Sequence, residues 1–116
     1  MHELTHGVTQ YTWDGIYSGE SGALNEAFSD IWGELIDLSN GAGNDVPAVR
    51  WLIGEDLPYQ APETSGAIRC LSDPTLYKLP DKMSSPYYWC SASDYGGVHT
   101  NSGVGSKAAY LMADGD

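Results

Sequence analysis

Two histidines and two glutamates near the start of the chain have the types and spacing of a catalytic zinc site. A His-Glu-Leu-Thr-His run at residues 2–6 would place His2 and His6 one turn apart on the same face of a helix. Glu26 would supply a third ligand from a second helix, which leaves the fourth position of the metal for water or substrate. Glu3 is close enough to take a proton from such a water without binding the metal itself. The pattern predicts a zinc hydrolase.

The elements that must position these residues are predicted to be helices. The first is expected from about His2 to Trp13, the second from Ser21 to Ser39, and a third from about Ser102 to Ala113. Residues 40–98 are rich in Gly, Pro, Ser and Asp, so we expect them to be irregular apart from short extended runs such as 51–53. The predicted fold class is therefore mainly α.

The second predicted helix carries an apolar pattern and an acidic stripe. Its large apolar residues recur at intervals of three and four, which predicts one buried face. These residues are Leu24, Phe28, Ile31, Trp32, Leu35 and Ile36. Glu26, Asp30, Glu34 and Asp37 also share a face, and like charges at this spacing destabilise a helix by roughly 0.2–0.5 kcal/mol per pair. Two interpretations stay open, a solvated acidic face or a face that binds cations.

Composition limits the remaining classes of function. The 116 residues suggest one domain at most, and a hydrophobic content of 41% is enough in principle for a core. Sixteen acidic against five basic residues give a net charge of −11, which disfavours nucleic acid and anionic membrane surfaces as partners. The sequence has no apolar stretch long enough for a transmembrane helix, and no signal peptide is visible before the first motif.

Three runs of residues resemble the thermolysin family of neutral zinc endopeptidases. They are the runs 2–12, 20–27 and 94–103, the last of which reads Asp-Tyr-Gly-Gly-Val-His-Thr-Asn-Ser-Gly. The resemblance implies an α+β fold for the complete enzyme. Within it, residues 1–116 would form a partial catalytic domain of a thermolysin-like protease, without the β-rich half that precedes the motif and the helices that close the domain. Because His2 would lie in a first helical turn, which frays, the motif itself also favours a missing upstream turn.

The resemblance implies a role for each residue of the candidate site. Zinc would be bound by His2, His6 and Glu26, with Glu3 as general base. The other implied roles fall into three groups. Tyr17 and His99 would stabilise the oxyanion, with Asp94 orienting His99; Asp30 and Asn25 would hold the ligand histidines; and Arg69 would bind a substrate carbonyl beside an apolar pocket lined by Ile53 and Ile68.

A calcium site is also implied by the resemblance. Glu34, Asp37 and Glu55 would contribute carboxylates and Leu52 a backbone carbonyl, since calcium takes six to eight oxygen ligands. Arg50 stands where an acidic ligand is expected two residues before Leu52. A weakened or lost calcium site therefore stays open.

Cys70 and Cys90 are the two cysteines of the chain. Their separation fits neither a Cys-x-x-Cys redox pair nor a zinc knuckle. Because the family is secreted, the resemblance implies a disulfide between them. Two unrelated thiols are the alternative.

The predicted function is a secreted, monomeric zinc endopeptidase that acts on peptide or protein substrates. One alternative is a zinc aminopeptidase, which shares the histidine motif but should carry an exopeptidase recognition motif upstream and a different spacing to the third ligand. The other alternative is not an enzyme. It is a truncated, inert module that keeps the zinc and calcium ligands without a complete cleft.

Overall fold

In the computed structural model, described for residues 1–57 and 66–115, helices form most of the chain. The elements follow one another as α1 (His2–Thr12), α2 (Gly19–Asn40), β1 (Leu52–Ile53), β2 (Arg69–Cys70), a 3-10 helix (Pro74–Tyr77) and α3 (Ser93–Ala113). The prediction of a mainly α fold is confirmed. None of the described helices is both long and apolar enough to cross a membrane.

Helix α1 carries the histidine motif and ends one residue before the predicted boundary. The Thr5 amide donates to the Met1 carbonyl, which opens the helix, and Glu3 places a negative charge in the first turn, where the helix dipole favours it. Trp13 leaves the helix in an extended conformation, with φ −139°. The last turn is closed by a hydrogen bond from the Trp13 amide to the Thr9 carbonyl.

Helix α2 begins two residues earlier than predicted, because the extended residue that precedes it is Ser18 rather than Ser21. Ser18 has φ −162° and ψ 148°, and its carbonyl accepts from the Gly22 amide in the first turn. At the other end Gly41 adopts a left-handed conformation with φ 69°, which glycine does at little cost. The predicted end of this helix at Ser39 is therefore confirmed within one residue.

Small residues let α2 and α3 approach each other closely. A methyl group added at Gly22 would lie 2.4 Å from Cγ1 of Val98, which is fully buried. A methyl group at Gly105 would lie 2.8 Å from the Cβ of Ala27. This contact builds the core around Ala23 and Ala27, and it places the acidic side of α2 inside the molecule.

The prediction of one buried apolar face on α2 is wrong for the described part of the chain. Leu24, Phe28 and Trp32 are about half exposed, whereas Glu26 and Asp30 are almost completely buried. The reason is that α1, α3 and β1 pack against α2, and the partners of the buried carboxylates lie on the side that holds the small and acidic residues. The apolar side forms a shallow groove of about 200 Å³ with α1 instead.

The start predicted for α3, at Ser102, is also wrong, because the helix begins at Ser93 with a left-handed turn. Residues 94–97 all have positive φ, between 51° and 85°. Two of them are glycines, but Asp94 and Tyr95 are not, and each costs roughly 1–2 kcal/mol in this conformation. Asp94 offsets part of this cost, since its Oδ2 accepts from the His99 amide at 2.9 Å and so caps the right-handed helix that follows.

The short antiparallel sheet fixes the segment that carries Arg69. Leu52 pairs with Cys70 and Ile53 with Arg69, and the Leu71 amide donates to the Trp51 carbonyl just beyond the ladder. The run 51–53 was predicted to be extended, and β1 confirms this for Leu52 and Ile53.

Candidate active site

Helices α1 and α2 bring three metal-binding side chains to one point. Nε2 of His2 and Nε2 of His6 lie 3.0 Å apart, and they lie 3.2 and 3.4 Å from the two carboxylate oxygens of Glu26. All three ligand atoms fall within 4.8 Å of one another. The four-residue spacing on α1 and the position of Glu26 on the buried side of α2 produce this arrangement.

The far nitrogen of each ring is held by a hydrogen-bond acceptor. Nδ1 of His2 meets Oδ1 of Asp30 at 2.7 Å, and Nδ1 of His6 meets Oδ1 of Asn25 at 2.6 Å. Because a carboxylate or amide oxygen only accepts, each Nδ1 carries the proton and donates it. In the neutral rings both Nε2 atoms therefore present lone pairs toward Glu26.

This donor set fits a zinc ion. Two imidazole nitrogens and a carboxylate oxygen are ligands that zinc takes in catalytic sites. Oε2 of Glu26 is buried, and it makes no hydrogen bond among the described residues, although His2 lies within 3.2 Å. A buried carboxylate oxygen without a partner, facing two nitrogen lone pairs, is stabilised by a cation bound between them.

The close approach of these side chains shifts the pKa values of His2 and Glu26. The hydrogen bond to Asp30 and the close carboxylate of Glu26 raise the pKa of His2 to about 9, against the opposing effect of burial. Burial would raise the pKa of Glu26, but the neighbouring His2 ring and the hydrogen bond from Tyr17 outweigh it and hold this pKa at about 2. Without a metal, a proton on His2 therefore takes the place of the cation.

An open cavity of about 330 Å³ lies in front of these ligands. It is lined by the three of them and by Glu3, Tyr17 and His99. The Tyr17 hydroxyl donates to Oε1 of Glu26, and Nε2 of His99 lies 3.2 Å from the same oxygen. Burial and the Glu26 hydrogen bond raise the pKa of Tyr17, which keeps its hydroxyl protonated as a donor. A carboxylate, a phenol hydroxyl and an imidazole nitrogen thus border one space.

Asp94 orients His99 with both of its oxygens. Oδ1 accepts from Nδ1 of the His99 ring at 2.6 Å, while Oδ2 accepts from the His99 backbone amide. With these two hydrogen bonds, Nε2 of His99 is directed toward Glu26. The left-handed turn at 94–97 is what brings the carboxylate back over the helix that it precedes.

Tyr95 lies beside this group and was not singled out from the sequence. Its ring packs edge-on against the Tyr17 ring, with centroids 5.9 Å apart, and its carbonyl accepts from the Ser18 hydroxyl. Tyr95 itself is 68% exposed. The available signal in the sequence was a tyrosine directly before two glycines. Here Tyr95 shares the positive φ that glycine adopts more readily.

Arg69 contacts Asp30, the residue that holds the His2 ring. Its Nε donates to Oδ2 of Asp30 at 2.5 Å and its Nη2 donates to Oδ1 at 2.8 Å. Ile53 lines a cavity of about 310 Å³ together with His2 and Asp30. The Ile68 amide donates to the Ile53 carbonyl at 2.9 Å, but Ile68 is 55% exposed and is not among the residues that line this cavity.

Two of the three acids expected to bind calcium lie together in the structure, and an acid that was not expected joins them. Asp37 and Glu55 come together with Asp56, and the ligand atoms of all three lie within 4.8 Å of one another. Glu34 instead accepts the Trp51 amide at 2.8 Å in the protein interior. Asp56 directly follows Glu55 in the motif Ile-Gly-Glu-Asp, which was the available signal.

The pKa values of two glutamates at or near this cluster are raised. Burial raises the pKa of Glu34 to about 7, and burial also raises the pKa of Glu55. Neighbouring carboxylates of Asp37, Asp45 and Asp56 add to these shifts. Leu52, the predicted carbonyl ligand, lies in β1, three residues before Glu55.

Residues 15–116 match the family model described as the thermolysin metallopeptidase alpha-helical domain. The chain belongs to this family. It is 49% identical over 114 residues to bacillolysin of Bacillus cereus, and 47% identical over 114 residues to thermolysin of Alicyclobacillus acidocaldarius. It is also 47% identical over 120 residues to a zinc metalloproteinase of Renibacterium salmoninarum. These alignments cover 98% of the chain and 19%, 19% and 21% of the three relatives, so the chain spans about a fifth of their length.

The resemblance to the thermolysin family stated from the motifs is thereby confirmed. The histidine motif at 2–6 lies before the part of the chain that the family model matches, whereas the alignments to whole relatives include almost all of the chain.

Membership of the thermolysin family suggested a disulfide, and this prediction is wrong for the structure. Cys70 and Cys90 are both free cysteines, one buried and one exposed. The Cys70 sulfur contacts the Ser72 hydroxyl at 3.1 Å and accepts from the Asp73 amide. Cys90 lies against the Tyr88 carbonyl at the surface. Each thiol therefore has its own local partners, which corresponds to the alternative of two unrelated thiols.

Proposed function

We propose that this protein is a zinc-dependent endopeptidase in which Glu3 is the general base. The observation that carries the proposal is the convergence of His2, His6 and Glu26 at the wall of the cavity that Glu3 and two hydrogen-bond donors also line. Zinc held by the three ligands would polarise a peptide carbonyl and make a water molecule more acidic.

The roles of the other residues follow from where they lie. Glu3 takes the proton from the attacking water and passes it to the leaving amine. The Tyr17 hydroxyl donates to the oxygen on which negative charge develops, since it points into the same space. Nε2 of His99 donates to that oxygen from the doubly protonated ring, because the Nδ1 proton is already donated to Asp94. Asp94 keeps His99 in position, and Asp30 and Asn25 do the same for the two ligand histidines.

Further parts of the proposal rest on family membership and on the acidic cluster. The substrates are peptides or proteins, the protein is secreted and monomeric, and residues 1–116 contribute one portion of a larger catalytic domain. Calcium is proposed to bind Asp37, Glu55 and Asp56, whose close carboxylates would otherwise repel one another.

The experiment that tests this function separates metal binding from proton transfer. Glu3→Gln should bind zinc at the same stoichiometry as wild type, because Glu3 is not a ligand. Peptide hydrolysis by this variant should fall by roughly 10²–10⁴-fold, the range expected when a general base is lost. Glu20→Gln, an exposed change on α2, is the matched control and should retain both properties. Equal hydrolysis by Glu3→Gln and wild type would contradict the mechanism.

A second candidate function is a zinc- and calcium-binding stretch without activity of its own. The observation that favours it is the openness of the site, since the His99 side chain is 53% exposed and the chain spans about a fifth of its relatives. One zinc bound per chain, with hydrolysis no faster than that of the metal-free chain, would support this candidate over the first.

A further inference from the structure

The two hydrogen bonds from Arg69 to Asp30 are partly buried, and one of them shares its acceptor oxygen with a histidine. Oδ1 of Asp30 accepts both from Nη2 of Arg69 and from Nδ1 of His2. The side chain of Asp30 is 1% exposed and that of Arg69 is 18% exposed, so this is not a solvated surface pair. An arginine, a carboxylate and an imidazole therefore form one continuous chain of contacts behind the candidate zinc ligand.

The arginine fixes the plane of the carboxylate as well as its charge. A guanidinium that donates through two nitrogens to both oxygens holds a carboxylate in one orientation, which a single ammonium group does not. The terminal torsion of an aspartate is otherwise broad. Because Oδ1 also accepts from His2, the direction in which the His2 ring points depends on that plane.

The position of Arg69 in the fold makes this support rigid. Arg69 lies in β2 and pairs with Ile53 of β1, so its backbone does not move independently of the sheet. Two of the five guanidinium N–H groups are used on Asp30, and within residues 1–57 and 66–115 three remain for other partners. Supporting the metal ligand is therefore compatible with the carbonyl-binding role expected for Arg69 from its family.

We propose that Arg69 is a positioning residue for the zinc ligand His2 and acts through Asp30. This inference rests on the proposed zinc site. It differs from simple charge neutralisation of a buried aspartate, because a lysine would supply the charge but not the two-nitrogen geometry.

The test compares zinc affinities of the 116-residue chain, measured by competition with a chromophoric chelator. Arg69→Lys should weaken zinc binding several-fold. Arg69→Met should weaken it roughly 10–100-fold, as for other groups that orient metal ligands. Arg50→Met removes an exposed arginine and should leave the affinity unchanged. An affinity of Arg69→Lys equal to or tighter than that of wild type would overturn the proposal, whatever the affinity of Arg69→Met.

A second readout keeps the test independent of overall folding. In nuclear magnetic resonance spectra of the zinc-loaded chain, the Nδ1 proton of His2 should exchange with water faster in Arg69→Lys than in wild type. The Nδ1 proton of His6, which Asn25 holds, should be unaffected and serves as the internal reference. Equal changes at both histidines would indicate a general loss of structure and would count against positioning.

The same measurements distinguish this inference from the function on which it rests. His6→Ala should greatly reduce zinc affinity whether or not Arg69 has a positioning role. Unchanged zinc binding in His6→Ala would contradict the proposed zinc site and, with it, the inference.

Discussion

Replacing Glu34 by glutamine should stabilise the metal-free chain, and more so at alkaline than at acidic pH. Glu34 is buried on α2, and its Oε1 accepts from the Trp51 amide. Burial raises its pKa from 4.5 to about 7, so the folded state prefers the protonated form. Glutamine keeps an oxygen for the Trp51 amide and carries no charge at any pH.

The sign and size of the effect follow from linkage between protonation and folding. The pKa of Glu34 is higher in the folded state than in the unfolded state, where it is 4.5. The folded protein therefore loses stability as the pH rises above 4.5, and the loss is complete above about pH 7. The loss of stability caused by ionisation of Glu34 is then about 1 kcal/mol at pH 5.5 and about 3 kcal/mol at pH 8. We therefore expect Glu34→Gln to gain about 2 kcal/mol more at the higher pH.

The assay is urea unfolding followed by tryptophan fluorescence, with EDTA present, at pH 5.5 and pH 8. The lower value keeps the chain above its isoelectric point of about 4.3. Glu20→Gln, an exposed change on the same helix, is the control and should alter stability by less than about 0.5 kcal/mol. Equal free-energy changes for Glu34→Gln at the two pH values would refute the reasoning.

Two further predictions concern packing and thiol chemistry. A methyl group at Gly103 would lie 2.5 Å from the Pro80 carbonyl oxygen, so Gly103→Ala should cost about 1–3 kcal/mol in urea unfolding. Gly7→Ala, in α1 with nothing near the added methyl, should instead stabilise by about 0.5–1 kcal/mol, and the same sign for both would contradict the packing described. Under native conditions iodoacetamide should modify exposed Cys90 much faster than buried Cys70, as followed by mass spectrometry. Equal labelling rates, or a disulfide between the two cysteines, would contradict the structure.

The meeting of His2, His6 and Glu26 could be predicted from the sequence, because helical periodicity places the two histidines on one face of α1. His2 and His6 share a face of α1 whatever surrounds the helix, and a ligand from α2 needs only that the two helices lie side by side. The partners of the two histidines, Asp30 and Asn25, were predicted from the resemblance to the family, and the structure shows both contacts.

The failures arose where tertiary contacts decide the structure. The apolar period of α2 is real, but it does not reveal that the other side, with Ala23 and Ala27, is the one that packs on α3. The left-handed turn before His99 breaks the pattern on which helix prediction relies, so the start of α3 was placed too late. The link from Arg69 to Asp30 joins residues that are 39 positions apart, and no local pattern indicates it.

The central claim is that His2, His6 and Glu26 bind zinc, and X-ray absorption at the zinc edge of the stoichiometrically loaded chain tests it most directly. The account predicts first-neighbour nitrogen and oxygen atoms only, at about 2.0–2.2 Å, with the outer-shell scattering of two imidazoles. Glu26→Gln should lower the affinity for zinc. A sulfur neighbour at about 2.3 Å, which would indicate Cys70 or Cys90 as a ligand, or a spectrum with one imidazole or none, would contradict the account.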